Sequence, residues 1–277
     1  MLDTISTQAS KLINLTKRNQ QQQAQKVDSK SKLITVTSGK GGVGKSTFTA
    51  NIAYLLALRG AKVAVIDADI GLANMQVLFD VKPKYTLFDY IDGRSNLNRV
   101  LTPTPYSNIT LIAGKSGYQY SKHSNSFVFA RIVQDVITLN QFDYILVDTG
   151  AGLNDYVKEF LAISDNILAL TTPDPSALTD VYALMKMLSK DKSSLMLCFN
   201  HTKNYQIGQT IANSLENLAK KNRLNPKFMV KYIGNVTTSK NVSTTGRLRK
   251  LFTKEFKSEP ITNELETIVE ALLNIIK

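Results

Sequence analysis

The sequence predicts an α/β fold, namely a doubly wound, mostly parallel sheet with helices on both faces. Two observations support this prediction. From residue 33 onwards, short apolar runs of strand length alternate with amphipathic segments of helix length, which is the order that βαβ units produce. The chain also has 277 residues, of which 43% are hydrophobic and 20% charged, enough for a large core of ordinary globular composition.

The periodicity of the sequence places each strand and helix in order. Short apolar runs are predicted as strands at 33–38, 62–67, 108–113, 143–148, 166–171, 194–200 and 227–234. Amphipathic segments are predicted as helices at 45–59, 126–139, 154–163, 176–189, 204–223, 239–257 and 262–276. Cys198, the only cysteine, lies in the sixth strand, which excludes an intramolecular disulfide and indicates a buried thiol.

Residues 1–32 differ from the rest and are predicted as a separate arm, with 33–277 as the main domain. Apolar residues at helical spacing indicate a short amphipathic helix over about residues 4–18. The glutamine-rich stretch 20–25 and the polar residues after it are typical of a flexible linker. Neither an apolar signal segment nor a run of about 18 to 20 apolar residues is present, so we expect a cytoplasmic location.

The net charge of +12 is concentrated in two parts of the chain. The arm carries +4, residues 33–199 carry +1, residues 200–257 carry +10, and the last twenty residues carry −3. Such an uneven basic excess indicates an acidic partner, an anionic membrane surface or nucleic acid. A basic face that is merely solvated remains an open alternative.

A glycine-rich motif lies between the first strand and the first helix: Gly39-Lys40-Gly41-Gly42-Val43-Gly44-Lys45-Ser46-Thr47. It has the P-loop pattern, in which glycines let backbone N–H groups converge on phosphate oxygens and the helix N-terminus adds partial positive charge. The predicted nucleotide-binding set is Gly39, Gly41, Gly42, Val43, Gly44, Lys45, Ser46 and Thr47. In this set Lys45 contacts the β- and γ-phosphates of ATP, Ser46 ligates Mg²⁺, and Thr47 bonds the α-phosphate.

Aspartates follow two of the other predicted strands. Asp67 and Asp69 follow the second strand and Asp148 follows the fourth, in front of Gly150 and Gly152. Because the carboxyl ends of parallel strands open onto one ligand crevice, these side chains are expected beside the glycine-rich loop. A single aspartate at a strand end is often only a helix cap. The glycine-rich loop and the two aspartate segments, in this order on one sheet, together indicate one site.

With its additional lysine, Lys40, the loop resembles the deviant Walker A motif of the MinD/ParA (SIMIBI) family of ATPases. The resemblance implies slow ATP hydrolysis in a homodimer that forms on ATP, with Lys40 reaching the nucleotide of the other subunit. It also implies that Asp69 in switch I positions the attacking water and that Asp67 supports the metal site. Asp148 would hold Mg²⁺ through water, and the switch II residues Gly150 and Gly152 would let that loop sense the γ-phosphate.

The residues that would surround the adenine base match the family pattern less completely. Asn200, at the end of the sixth strand, resembles the adenine-contacting asparagine of the family, although a turn-capping asparagine is an alternative. The family commonly has a proline and an acidic residue after the seventh strand, where this chain has Thr237, Thr238 and Ser239. His123 and His201 have no partners at metal-ligand spacing and receive no role.

Within the class, the chain resembles the FlhG (YlxH) family, which sets flagellar number and placement. The switch II form Asp148-Thr149-Gly150-Ala151-Gly152 and the stretch 171–186 are similar to that family. The arm segment 7–12 partly resembles the activator motif of the family through Gln8, Ala9 and Leu12. The resemblance implies that Gln8 helps to stimulate FlhF, a signal-recognition-type GTPase, and that flagellar switch-complex proteins are further partners. Packing of the arm on its own domain is the alternative.

The same resemblance implies membrane contact near the flagellar pole by a C-terminal amphipathic helix. Residues 247–256 place Leu248, Leu251, Phe252 and Phe256 on one face among basic side chains, which is an interfacial pattern. A packed helix with a solvated basic face is the alternative. Residues 262–276 are apolar on one side but acidic on the other, so they are predicted to be a core helix.

Two other functions remain open. One is a ParA-like partition ATPase whose basic block, 200–257, binds DNA without sequence preference by neutralising phosphates. The other is a MinD-like membrane-associated regulator of the division site. A scaffold with inert nucleotide is disfavoured because Asp69 is present.

Overall fold

The computed structural model describes residues 29–117 and 128–276, and Ser31–Lys277 forms one compact unit. Its strands are β1 Lys32–Ser38, β2 Val63–Ala68, β3 Leu101–Pro103, β4 Ile109–Ile112, β5 Tyr144–Ala151, β6 Asn166–Thr171, β7 Ser194–Thr202 and β8 Met229–Thr237. All seven predicted strands are found, most of them within about two residues of the predicted ends. The three-residue strand β3 was not predicted.

The long helices pack against the sheet and the short ones connect it. The helices are α1 Lys45–Leu58, α2 Met75–Leu78, α3 Leu87–Ile91, α4 Leu97–Val100, α5 Val128–Thr138, α6 Asp155–Ile163, α7 Pro175–Leu188, α8 Tyr205–Lys221, α9 Lys240–Arg247, α10 Phe252–Glu255 and α11 Pro260–Ile275. Among these helices, none has the length and apolar character needed to span a bilayer.

The strands of the described residues form one sheet in the order β3-β4-β2-β5-β1-β6-β7-β8. Every neighbouring pair is parallel except β3 and β4, which pair antiparallel at one edge. This confirms the predicted mostly parallel, doubly wound sheet. Because β1 lies between β5 and β6, the loop that follows β1 emerges at the centre of the carboxyl edge.

Alternation of side chains along each strand divides the core between the two faces of the sheet. On one face, Ile34 and Val36 of β1 pack in a cluster with residues of α1 and α11. On the other face, Ile145 and Val147 of β5 pack with α5, while Leu195 and Leu197 of β7 pack with α7 and α8. The strands are buried on both faces, which explains why they appear in the sequence as continuous apolar runs.

Burial in the core tests two further predictions, one about Cys198 and one about the last helix. Cys198 is fully buried in β7, which confirms the predicted buried thiol, and this burial raises the pKa of the thiol. The helix predicted at 262–276 is α11, and its residues Leu265, Ile268 and Leu272 are buried in the core as expected.

The continuous helix predicted over 239–257 is wrong. The chain leaves α9 at Arg247, passes through a left-handed turn at Arg249 (φ 53°) and forms the short helix α10. Leu251 and Phe252 are each only 1% exposed, whereas Leu248 is 60% exposed. Most of this apolar face is therefore packed inside the protein, as the alternative prediction expects. The complete face is not available for contact with a membrane.

Three basic side chains of this same segment, at positions 249, 250 and 254, have partners within the chain. The contacts are Arg249–Asp80 at 3.8 Å, Lys250–Glu255 at 3.0 Å, and Lys254 at 4.9 Å from the centre of the Tyr106 ring. These are exposed pairs that contribute little stability each. They nevertheless reduce the positive charge that residues 248–256 can offer to an external partner.

Asn51 in the middle of α1 fixes the C-terminal turn to this helix. Its side-chain oxygen accepts hydrogen bonds from the backbone nitrogen (3.0 Å) and the hydroxyl (2.9 Å) of Thr253. Its side-chain nitrogen donates to the carbonyl of Thr47 at 2.8 Å. Asn51 and Thr253 are both buried, so these groups cannot exchange their partners for water.

Substitution of Asn51 by alanine is expected to lower the free energy of unfolding by about 1–3 kcal/mol, because the buried amide of Thr253 loses its acceptor. Urea denaturation measures this change. Thr210→Ala on α8 is the control, since that exposed hydroxyl bonds only to its own helix. Equal stabilities of the two variants would contradict the assigned role of Asn51.

Candidate functional site

The glycine-rich loop joins β1 directly to α1, as the sequence predicts. Gly42 (φ 76°) and Gly44 (φ 90°) have left-handed backbone conformations that favour glycine. Gly44 occupies the position before the first residue of α1, and no side chain caps that helix. The first N–H groups of α1 and the positive end of its dipole are therefore directed at the loop.

Two glycines of the loop are also required by close packing. A Cβ atom at Gly39 would lie 2.4 Å from the Cβ of Asp180 on α7. One at Gly44 would lie 2.6 Å from the side-chain nitrogen of Asn200. At Gly41 the nearest atom would be 3.8 Å away, so no contact within the fold excludes a side chain there.

Lys45, Ser46 and Asp148 meet at the start of α1. The Ser46 hydroxyl donates to a carboxylate oxygen of Asp148 at 2.6 Å. Asp148 is fully buried at the carboxyl end of β5, and Lys45 is only 7% exposed. The structure thus brings together the lysine, hydroxyl and carboxylate that the sequence predicts for phosphate and metal binding.

The two buried carboxylates are neighbours, because Asp67 of β2 is paired in register with Asp148 of β5. Burial, and then the charge of Asp148, raise the pKa of Asp67 from 3.8 to about 7. Burial raises the pKa of Asp148 from 3.8 to about 6, although the Lys45 ammonium and the Ser46 hydroxyl oppose that increase. Ionising both groups in the protein alone is therefore unfavourable.

Asp67, which the resemblance assigns to the support of the metal site, directs its carboxylate at backbone amides of the loop after β2. One oxygen accepts from Asp69 at 3.2 Å, and the other from Asn74 at 3.1 Å and Met75 at 3.0 Å. Asp67 therefore anchors the segment predicted to be switch I.

Asp69 lies in that loop and contacts the segment predicted to be switch II. One of its oxygens accepts from the amides of Gly71 (2.9 Å) and Leu72 (3.1 Å). The same oxygen would lie 3.4 Å from a Cβ at Gly150. Farther along, the amide of Gly152 donates to the carbonyl of Ser38 at 3.0 Å. The two predicted switches are thus adjacent to each other and to the end of β1.

The oxygen ligands at this edge suit Mg²⁺. Ser46 offers a hydroxyl and Asp148 a carboxylate, both hard oxygen donors. Across the described ranges there is no cluster of three histidine, cysteine or acidic side chains that could hold a metal by itself. Mg²⁺ commonly takes one or two protein oxygens together with phosphates and water, so a site that needs a phosphate ligand fits the ion.

Lys40 lies on the exposed rim of the loop, as predicted. Its ammonium donates to the hydroxyl of Ser176, in the first turn of α7, at 2.9 Å. The bond is exposed and can be exchanged for another partner at small cost. Ser176 lies in the stretch 171–186, one of the segments that carry the family resemblance.

A cavity of about 330 Å³ opens beside Gly44 and Thr47, where the first turn of α1 begins. Its apolar lining consists of Phe48, Val236, Val242, Phe252, Ile261 and Leu265. Its polar lining includes Asn200, His201, Thr237 and Ser239. The size and mostly apolar wall suit a flat heterocycle held next to a phosphate-binding loop.

Asn200 lines this cavity, but it also braces the loop. Its side-chain nitrogen donates to the carbonyl of Val43 at 2.8 Å, and its oxygen accepts from the amide of His201 at 2.9 Å. Asn200 thus lies beside the cavity, where a contact with the base is predicted. It also makes the local backbone bonds that the turn-capping alternative expects. Thr237, which departs from the family pattern, donates from its amide and hydroxyl to Glu264 at 2.8 and 3.0 Å.

Sequence reasoning missed several residues of the site. His201, which has no predicted role, lines the cavity, as do Phe48 and Phe252, although the sequence pattern places Phe252 only on an amphipathic helix face. No local pattern marks them, because they come together only through the fold. The residues Gln8, Ala9, Leu12 and His123 lie outside the described part of the chain.

These features define a class. A strand, glycine-rich loop and helix with a buried lysine, next to paired carboxylates on a central parallel sheet, is the arrangement of P-loop NTPases. A family model described as ParA, NUBPL iron-transfer P-loop NTPase, matches residues 29–273. The cell division ATPase MinD of Pyrococcus furiosus has the same fold, with a TM-score of 0.76, 21% identity, and coverage of 88% of this chain and 99% of that one.

Two relatives are similar in sequence. The flagellum site-determining protein YlxH of Helicobacter pylori is 35% identical over 271 residues, 98% of this chain and 91% of the relative. The antiactivator FleN of Pseudomonas aeruginosa is 39% identical over 160 residues, 57% of each chain. The chain therefore belongs to the YlxH (FlhG) family of ParA/MinD-type P-loop NTPases.

The paired carboxylates predict how stability depends on pH. Their raised pKa values mean that the folded protein keeps protons that the unfolded chain releases above about pH 4. The free energy of unfolding, measured without nucleotide and with a chelator, should therefore fall as pH rises, by about 1–3 kcal/mol between pH 5 and 8. Asp148→Asn should show a smaller fall, because one titrating group and its repulsion of Asp67 are removed.

The exposed Asp80→Asn is the control and should keep the wild-type pH dependence. Denaturant titration at pH 5 and pH 8 measures all three proteins. A wild-type stability that rises over this range would contradict the assignment of raised pKa values to Asp67 and Asp148.

Proposed function

We propose that this chain is a Mg²⁺-dependent ATPase that acts as a slow, dimerising nucleotide switch. The observation that carries the proposal is the 2.6 Å contact between Ser46 and the buried Asp148 beside Lys45, at the start of α1. Phosphoryl transfer depends mainly on positioning and charge neutralisation, which such a loop supplies. Mg²⁺ would neutralise phosphate charge, with Ser46 and Asp148 as its protein ligands.

This assignment also gives roles to the other residues of the loop and of the two switches. Lys45 and the amides of residues 39–44 bind the β- and γ-phosphates, and Thr47 contacts the α-phosphate. Asp69 orients the attacking water, which its position beside Gly150 supports. Lys40, exposed on the rim, exchanges Ser176 for the nucleotide of a second subunit when ATP is bound. The base occupies the cavity beside Gly44, next to Asn200.

We further propose that this switch regulates flagellar number and placement. Support comes from the similarity, over 98% of the chain, to a relative whose name is flagellum site-determining protein. The arm would stimulate an FlhF-type GTPase through Gln8, Ala9 and Leu12, and the main domain would meet flagellar switch-complex proteins. The protein would act in the cytoplasm at the inner face of the cell membrane, near the flagellar pole.

A specific observation favours a second candidate, nonspecific DNA binding of the ParA type. A 2.7 Å hydrogen bond from Asn222, directly after α8, to Tyr182 in the middle of α7 joins these two helices. Exposed basic side chains with no ion pair among the described residues lie just after α7, at the end of α8 and in the turn after α8: Lys190, Lys221, Arg223 and Lys227. Cations at helix C-termini also stabilise the helix dipole, so this surface is weaker support than the relatives provide.

The arm provides the test of the flagellar role. Full-length protein should increase GTP turnover by an FlhF-type GTPase several-fold, and Gln8→Ala should abolish the increase, because the amide can no longer help to orient a water in the partner's site. Gln22→Ala, in the linker, is the matched control and should behave as wild type.

Absence of stimulation by the wild-type protein would contradict the flagellar role. In that case binding to duplex DNA with a steep dependence on salt, lost on Lys221→Ala with Arg223→Ala, would support the second candidate.

A further inference from the structure

Tyr156, which none of the predictions includes, contacts switch II from the first turn of α6. Its hydroxyl lies so close to Gly150 that a Cβ at this glycine would be 2.5 Å from the hydroxyl oxygen. Real Cβ atoms do not approach other atoms this closely, so residue 150 has to be glycine while Tyr156 is in place. The hydroxyl is thus packed against the backbone of switch II.

Asp69 approaches the same point from switch I. Its carboxylate oxygen would lie 3.4 Å from the same Cβ position. The Tyr156 hydroxyl and the Asp69 carboxylate therefore converge over one glycine, each from a different segment of the chain. A shift of the Gly150 backbone would change the space available to both groups.

The ring of Tyr156 is held firmly on both sides. It packs against the α5 side of the core and also against the cluster that contains α7 and α8. Its ring centre lies 6.2 Å from that of Phe129. The start of α6 is fixed by the side chain of Asn154, which accepts from the amide of Val157 at 3.1 Å. The hydroxyl therefore has little freedom to turn away.

The Tyr156 hydroxyl is available as a donor. Burial raises the pKa of Tyr156 above its usual value of 10.0, a hydrogen bond with the Asn154 side chain opposes that increase and the negative charge of Asp69 adds to it, so the group stays protonated. A protonated hydroxyl facing a carboxylate is attracted to it directly or through one water molecule. The tyrosine is thereby suited to restrain the direction in which Asp69 points.

We propose that Tyr156 is a positioning residue for Asp69, which it holds toward the phosphate edge across Gly150 and so couples switch I to switch II. The inference rests on the proposed ATPase function and on the role of Asp69 in orienting water. It concerns a side chain anchored in α6, outside the loop and the two switches.

Steady-state ATP hydrolysis by Tyr156→Phe tests this proposal. The phenylalanine keeps the ring and its packing, so the unfolding midpoint and the KM for ATP should match wild type. The kcat should fall about tenfold, because Asp69 loses the neighbouring polar group that limits its orientation. Tyr182→Phe is the control, because it also removes a hydroxyl with a hydrogen-bond partner, but in the middle of α7 beside Asn222, and should leave kcat unchanged.

A second measurement separates positioning from a structural effect. If Tyr156 acts through Asp69, the residual single-turnover rate of Asp69→Asn should not fall further when Tyr156→Phe is added. A further tenfold fall in the double variant, or a wild-type kcat in Tyr156→Phe, would overturn the proposal. A wild-type protein without ATP turnover would instead overturn the proposed function itself, and this inference with it.

Discussion

The juxtaposition of Asp67 and Asp148 is the constraint on which the rest of the site depends. These carboxylates occupy paired positions of neighbouring strands, and neither reaches solvent. Two buried negative charges at such a position repel each other and lose their hydration, so the fold has to offset them. Lys45 and the Ser46 hydroxyl do so for Asp148, and three backbone amides do so for Asp67. A divalent cation would further offset the charge of Asp148.

The partners of the two carboxylates explain how separate segments can respond together. Asp148 is bonded to the first turn of α1, and Asp67 to the loop that contains Asp69. Asp69 in turn lies against Gly150, which immediately follows β5 residues 148 and 149 in sequence. A change in charge at Asp148 thus acts on the phosphate loop directly and on switch I through Asp67. The geometry has the connections that a nucleotide switch requires.

The sequence predicted those parts of the fold and site that depend on local patterns. The β1-loop-α1 unit and the position of Asp148 follow from strand periodicity, glycine spacing and the shared edge of parallel strands. The hydrogen bonds that Asp67 accepts could not be predicted, since they depend on how residues 74 and 75 fold back. The interruption of the helix at Arg249 could not be predicted either. A basic amphipathic sequence pattern is the same for a packed segment and for a continuous interfacial helix. Asn51 and Thr253 are 202 residues apart, and no spacing rule joins them.

The binding of ADP to the wild-type protein and to Asp148→Asn, with Mg²⁺ and with a chelator, tests the central claim most directly. If Asp148 and Ser46 form the metal side of a nucleotide site, titration calorimetry should show that Mg²⁺ tightens ADP binding to wild type by at least about tenfold, one charge-assisted interaction. Asp148→Asn should lose most of that increase. Equal tightening by Mg²⁺ in the variant and the wild type would contradict the account.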